Sequence, residues 1–279
     1  MAVDSVALYT RAEFATPGAR EYLTSALTTD SYPPQDGGRT DFRTPFDGVR
    51  AYVDIAVVVL VLLCTNLIAH FTTVWASLAA VPVAALALVA LTRHRGLGWE
   101  ELGLGREHLR RGALYAVAAV GLVVTVIVIG VALPITRPMF MADRYATISG
   151  ALIASMIVIP LQTVIPEELA FRGVLQGTLS RVYSFRGVAM AGSLLFGLWH
   201  IASSLGLTEG NRGFSAILGG GVAGQVIGIA CAVFATAAAG LVFTWLRRRS
   251  GSLLAPIALH WSLNGVAALA AAAVFHAAA

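Results

Sequence analysis

Apolar and polar positions divide the chain into one polar stretch followed by seven long apolar runs. Residues 1–50 contain no long apolar run; they hold five Arg and seven acidic residues, with Pro33-Pro34 and Gly37-Gly38 in the middle. That pattern predicts a solvated arm with a short helix around 18–28 and then a flexible linker. From Tyr52 onward the composition changes. A membrane-spanning helix needs roughly 20 mostly apolar residues. Runs of that kind cover 51–69, 74–92, 113–133, 147–170, 187–204, 216–246 and 252–275. The fourth is expected to continue as helix to about Leu179, and the sixth to start with an interfacial piece at Gly219-Gly220-Gly221. The expected fold class is all-α, a polytopic transmembrane helix bundle of about seven spans, with six to eight compatible with the pattern. It divides into an arm over 1–50 and a helical domain over 51–279.

Composition supports lipid as the solvent. The chain is 57% hydrophobic and 12% charged, against about 25% charged in soluble domains. That leaves too few polar side chains to cover a soluble surface. All 19 basic residues are arginine. They gather at the ends of apolar runs without interleaved aromatics, so they read as topology signals and argue against a nucleic-acid partner. Connections 93–111, 181–186 and 247–249 hold ten arginines, whereas the alternate connections hold only Arg137, Arg144 and Arg212. By the positive-inside rule this split alternates correctly for seven spans with a cytoplasmic N-terminus. No cleavable leader is expected, because the first fifty residues are polar. The Ala/Val/Arg/Gly bias and the absence of lysine suggest a bacterial coding sequence, hence an inner-membrane location. Cys64 and Cys231 sit far apart in apolar runs and are expected as buried small hydrophobes.

Ionisable residues inside spans are costly and mark functional sites by default. Segment four carries Glu167, Glu168 and Arg172, segment five His200, and segment seven His260 and Asn264. At about 1.5 Å of rise per residue, Glu167 lies about 21 Å from its helix end, and His200 and Asn264 about 20 Å from theirs. Three helices therefore bring polar groups to one level. Asp54 and His276 lie nearer span ends and read as interfacial. Glu168 and Arg172 are four apart and share a helix face, so they can pair. Glu167 points about 100° away, free to face the bundle as a general base acting on water. The opposite assignment of the two glutamates is the competing one. His260 and Asn264 also share a face and can donate to one oxygen, and the Phe196 ring, one turn before His200, can wall the site.

These motifs, Glu167-Glu168-x-x-x-Arg172, Phe196-x-x-x-His200 and His260-x-x-x-Asn264, resemble in order the CPBP family of intramembrane proteases. That family includes type II CAAX prenyl endopeptidases and bacterial proteins linked to bacteriocin processing or immunity. The resemblance covers roughly 110–275 and implies an endopeptidase cutting a membrane-associated or lipidated peptide or protein. It implies that Glu167 activates water with His200, that His260 and Asn264 stabilise the oxyanion, and that Glu168, Arg172 and Phe196 support them. No cofactor is the preferred expectation; the alternative is one zinc ion on His200, His260 and Glu167. A non-catalytic immunity or scaffold protein and a proton-coupled transporter are the competing classes. Oligomeric state is not legible.

Overall fold

The structure, a computed structural model, describes residues 45–278. The expected arm up to residue 44, with its short helix around 18–28, lies outside the described residues. Among the described residues seven helices are long and apolar enough to cross a membrane, and none forms a strand beyond the isolated bridge Ala142–Asn211. The spanning helices are α1 (Pro45–Phe71), α2 (Val74–His94), α3 (Leu109–Ala132), α4 (Ile148–Ser180), α5 (Phe185–Ser203), α7 (Gly221–Ser250) and α8 (Leu254–Ala277). A short α6 (Arg212–Leu218) precedes α7 and is capped by Asn211, whose side-chain oxygen accepts from the amides of Gly213 and Phe214.

Observed spans differ from the expected ones chiefly at their ends. α1 starts at Pro45, six residues before the expected 51; proline is favourable at a helix start because its missing N–H has no helical partner there anyway. α4 does continue to Ser180. The glycine run divides α6 from α7: Gly219 at φ 79° ends the first and Gly221 opens the second. Cys64 and Cys231 are exposed, which corrects the expectation of burial. On a spanning helix the outward face meets lipid, where a thiol is as comfortable as in a core.

Packing follows small residues. α5 lies along α7, and a Cβ on Gly197 would come within 2.7 Å of the Val233 carbonyl oxygen and 2.9 Å of Ala237 Cβ. Small side chains let spanning helices approach closely where lipid supplies no hydrophobic drive. α8 packs on α3, and α2 on the later part of α4.

The connection between α2 and α3 is folded, where the sequence suggested only a charged link. Leu97 and Leu102 are fully buried. Buried Arg247, at the end of α7, donates to the carbonyls of Glu100 (2.9 Å) and Glu101 (3.1 Å). Arg181 donates to Gly96 (2.8 Å) and lies 3.5 Å from the Glu101 carboxylate, while Asp54 on α1 pairs with Arg95 at 3.3 Å. The segment presses on α4: the Leu102 carbonyl lies 3.3 Å from where a Cβ would sit on Gly173, the residue after Arg172. Bare backbone at Gly173 is what allows that approach.

Candidate active site

The middle of α4 is not a regular α-helix. Two wide, π-helical stretches, Ala154–Val164 and Leu169–Leu175, flank the short α-helical turn Ile165–Glu168. Pro160 and Pro166 lack the N–H that a regular ladder would use, and wide turns of this kind recur at functional sites. Both glutamates sit at this irregularity, facing α5 and α8.

Glu168 is wholly buried and doubly partnered. Its Oε1 accepts from Arg172 Nη1 at 3.0 Å and meets His260 Nδ1 at 2.9 Å. A carboxylate beside a guanidinium acts only as acceptor, so the His260 Nδ1 carries the proton. Arg172 is 2% exposed and His260 4%. Aromatic rings close around them: the Arg172 guanidinium carbon lies 3.9 Å from the Phe196 ring centre and 4.7 Å from that of Phe243. Phe243 also stacks on His260, centroids 5.1 Å apart and planes inclined by 25°. Faces of aromatic rings attract a desolvated cation, so the guanidinium is held without water.

Glu167 stands apart from that group. Its Oε1 accepts from the Trp199 indole N–H at 3.1 Å. Its Oε2 has no hydrogen-bond donor among the described residues and lies 4.0 Å from His200 Nε2. His200 is the most open member of the pair, with 18% of its side chain exposed. Its Nδ1 lies 2.7 Å from the Phe196 carbonyl. A carbonyl only accepts, so Nδ1 carries the hydrogen and Nε2 offers a lone pair. Two acceptors, Glu167 Oε2 and His200 Nε2, therefore face each other across 4.0 Å.

Most of the sequence-derived candidates thus come together: Glu167 with His200, and Glu168 with Arg172, His260 and Phe196. Glu167 and His200 meet at one level, and on α8 the residue that reaches α4 is His260, not Asn264. His260 is placed differently from the sequence reading, which paired it with Asn264 alone; its contact is the carboxylate of Glu168. Asn264 is exposed and bonded to none of the other candidates. The wide turn Ser262–Val266 follows directly after the α-helical turn that carries His260. Trp199 and Phe243 were missed. Trp199 stood within the second motif, and its indole N–H in an apolar helix was a usable signal. Phe243 carried none in a helix of Ala, Gly and Val.

The trio named as an alternative zinc site, His200, His260 and Glu167, is not gathered as a ligand set. Among the described residues no group of three or more His, Cys, Asp or Glu side chains could hold a metal ion. Nδ1 of His260 is already engaged by Glu168.

Among known proteins, residues 149–266 match the family model for the type II CAAX prenyl endopeptidase Rce1-like proteins. Neither a curated protein nor a solved structure matches the chain. The matched stretch carries all three motifs, on α4, α5 and α8, and over that stretch this helical membrane protein is similar to the CAAX-type intramembrane proteases.

Proposed function

We propose that the protein is a glutamate-type endopeptidase that hydrolyses a peptide bond of a membrane-associated or lipidated substrate, without a metal. The observation that carries this reading is the pair of facing acceptors, Glu167 Oε2 and His200 Nε2, 4.0 Å apart. That spacing is too long for a direct hydrogen bond and suits one water donating a hydrogen to each. Glu167 takes a proton from that water as its oxygen attacks the peptide carbonyl carbon. Negative charge moves to the carbonyl oxygen. His260, held through Nδ1 by Glu168, presents Nε2 to it and donates there when the ring carries its second proton. Asn264 adds its amide from the same helix once substrate is bound. Collapse of the tetrahedral species breaks the C–N bond, and Glu167 returns the proton to the departing amine.

Glu168 and Arg172 keep the site's charge fixed and dry. The opposite assignment would place the water at Glu168 Oε2, which like Glu167 Oε2 has no donor among the described residues, but on a carboxylate that is 0% exposed where Glu167 is 6% and whose Oε1 is tied to Arg172 and His260. The arginine distribution supports a cytoplasmic N-terminus by the positive-inside rule, and composition suits a bacterial inner membrane.

Glu167→Gln tests the reading. The full chain, reconstituted in liposomes, is given quenched fluorescent peptides with and without a farnesyl group. Wild-type protein is expected to cleave a lipidated member of the set, and Glu167→Gln to lose at least about 100-fold, the low end for a general base, with unchanged insertion. Full activity in Glu167→Gln beside a dead Glu168→Gln would reverse the assignment. No cleavage by wild-type protein would favour a scaffold or immunity role.

A further inference from the structure

Tryptophan brings one hydrogen-bond donor and no acceptor. When its ring is buried, that donor needs a partner. Trp199 is buried, and its indole N–H is given to Glu167 Oε1. His200 is the next residue on α5, about 100° further around the helix. Two consecutive side chains of one helix therefore reach a single carboxylate, one at each oxygen: Trp199 at Oε1 (3.1 Å) and His200 at Oε2 (4.0 Å). With Oε1 tied, the carboxylate plane cannot turn, and Oε2 is the oxygen that faces the imidazole.

Trp199 is itself held from two sides. Its ring meets Phe171 edge to face, centroids 5.4 Å apart. Its backbone carbonyl accepts from Asn66 Nδ2 of α1 at 3.0 Å. Asn66 lies outside the stretch 149–266 that matches the family model, just after the apolar run 55–64 of α1. A polar amide inside a span is expensive unless it finds a partner, and here the partner is the turn that carries both Trp199 and His200.

We infer that Trp199 is a positioning residue for the general base Glu167, and that Asn66 steadies it from α1. The inference rests on the proposed protease reading. It deepens that reading by fixing which oxygen of Glu167 takes the proton and by giving a span outside the matched domain a part in the site.

The test removes the N–H and keeps the ring. Site-specific incorporation of 3-benzothienylalanine at position 199 puts sulfur where the indole nitrogen stands. On the full chain in liposomes, with the farnesylated peptide as probe, kcat is expected to fall about 10- to 100-fold, the range for a hydrogen bond to a charged group. KM should stay within roughly twofold, because ground-state binding is untouched. Trp199→Phe should show the same split. Asn66→Leu should lower kcat in the same direction and add little when position 199 already lacks its donor.

A second readout needs no turnover. In protein labelled with 5-fluorotryptophan, the ¹⁹F resonance that disappears in Trp199→Phe is expected to move in Glu167→Ala and to stay in place in His276→Ala. A Trp199 resonance unmoved by Glu167→Ala would overturn the contact. Native kcat with the benzothienyl ring would overturn the positioning role while wild-type cleavage leaves the protease reading intact. Absence of wild-type cleavage, with the resonance still moving, would sink the protease reading and the positioning role with it.

Discussion

Replacing Arg172 with methionine isolates the buried charge group. Arg172 Nη1 lies 3.0 Å from Glu168 Oε1, with exposures of 2% and 0%. At that separation, and an effective dielectric of about 20, the direct attraction is about 5 kcal/mol. The aromatic faces at 3.9 and 4.7 Å add about 2 kcal/mol, and desolvation of both ions offsets much of the sum. What a single substitution exposes is the cost of leaving Glu168 charged and short of a partner, about 3–5 kcal/mol. Methionine keeps the stem and stops where the guanidinium begins, so the space left between the Phe196 and Phe243 rings adds to this cost. The double variant Glu168→Gln/Arg172→Met removes both charges while the glutamine oxygen still accepts from His260 Nδ1. It is expected within about 1 kcal/mol of wild type, because a buried pair replaced by neutral groups of similar volume is close to neutral in stability. The measurement is reversible unfolding of the four proteins of the cycle in mixed lipid–detergent micelles, with coupling taken from the differences. An Arg172→Met cost below about 1 kcal/mol, or a double variant as unstable as the two singles added together, would refute the assignment of a structural ion pair enclosed by aromatic rings.

Gly197→Val places a branched side chain where a Cβ already comes within 2.7 Å of a carbonyl oxygen on α7. It should separate α5 from α7 and destabilise by about 2–4 kcal/mol through overpacking, with His200 misplaced and cleavage lost, read by unfolding and by the peptide assay. Arg247→Gln shortens the side chain that donates to Glu100 and Glu101. Hydrogen exchange at residues 97–104 should then accelerate at least roughly tenfold, the effect of weakening local stability by about 1.4 kcal/mol, while α5 amides remain protected.

Long-period features were legible in the sequence and cross-helix ones were not. Seven spans follow from run length against membrane thickness, and the Glu168–Arg172 pair from helical spacing, since both depend on residues near one another in the chain. The level shared by Glu167 and His200 was also recoverable, because rise per residue is nearly fixed, whereas His260, about 14 Å into its helix by the same rule, was put one turn shallower. The partner of His260 was not recoverable. It depends on the rotation of α8 against α4, and wide turns in both helices alter that rotation by amounts that no spacing rule carries. The exposure of Asn264 was not legible either. Leu97 and Leu102 lie in a stretch dense in Gly, Glu and Arg, which reads as solvated until Arg247 is seen satisfying its carbonyls from another helix.

The pinned connection between α2 and α3 has a consequence for where the working unit ends. It lies against Gly173 and Gly177 of α4, is tied by Arg247 from α7, and belongs to neither the matched stretch 149–266 nor any motif. A fragment cut to that stretch would keep every proposed chemical group and lose the floor beneath α4, the α3 surface on which α8 packs, and the Asn66 hook on Trp199. The segment that resembles the protease family is therefore smaller than the segment that must fold to hold the proposed site, and sequence change in residues 95–105 would be felt at the proposed catalytic base without touching it.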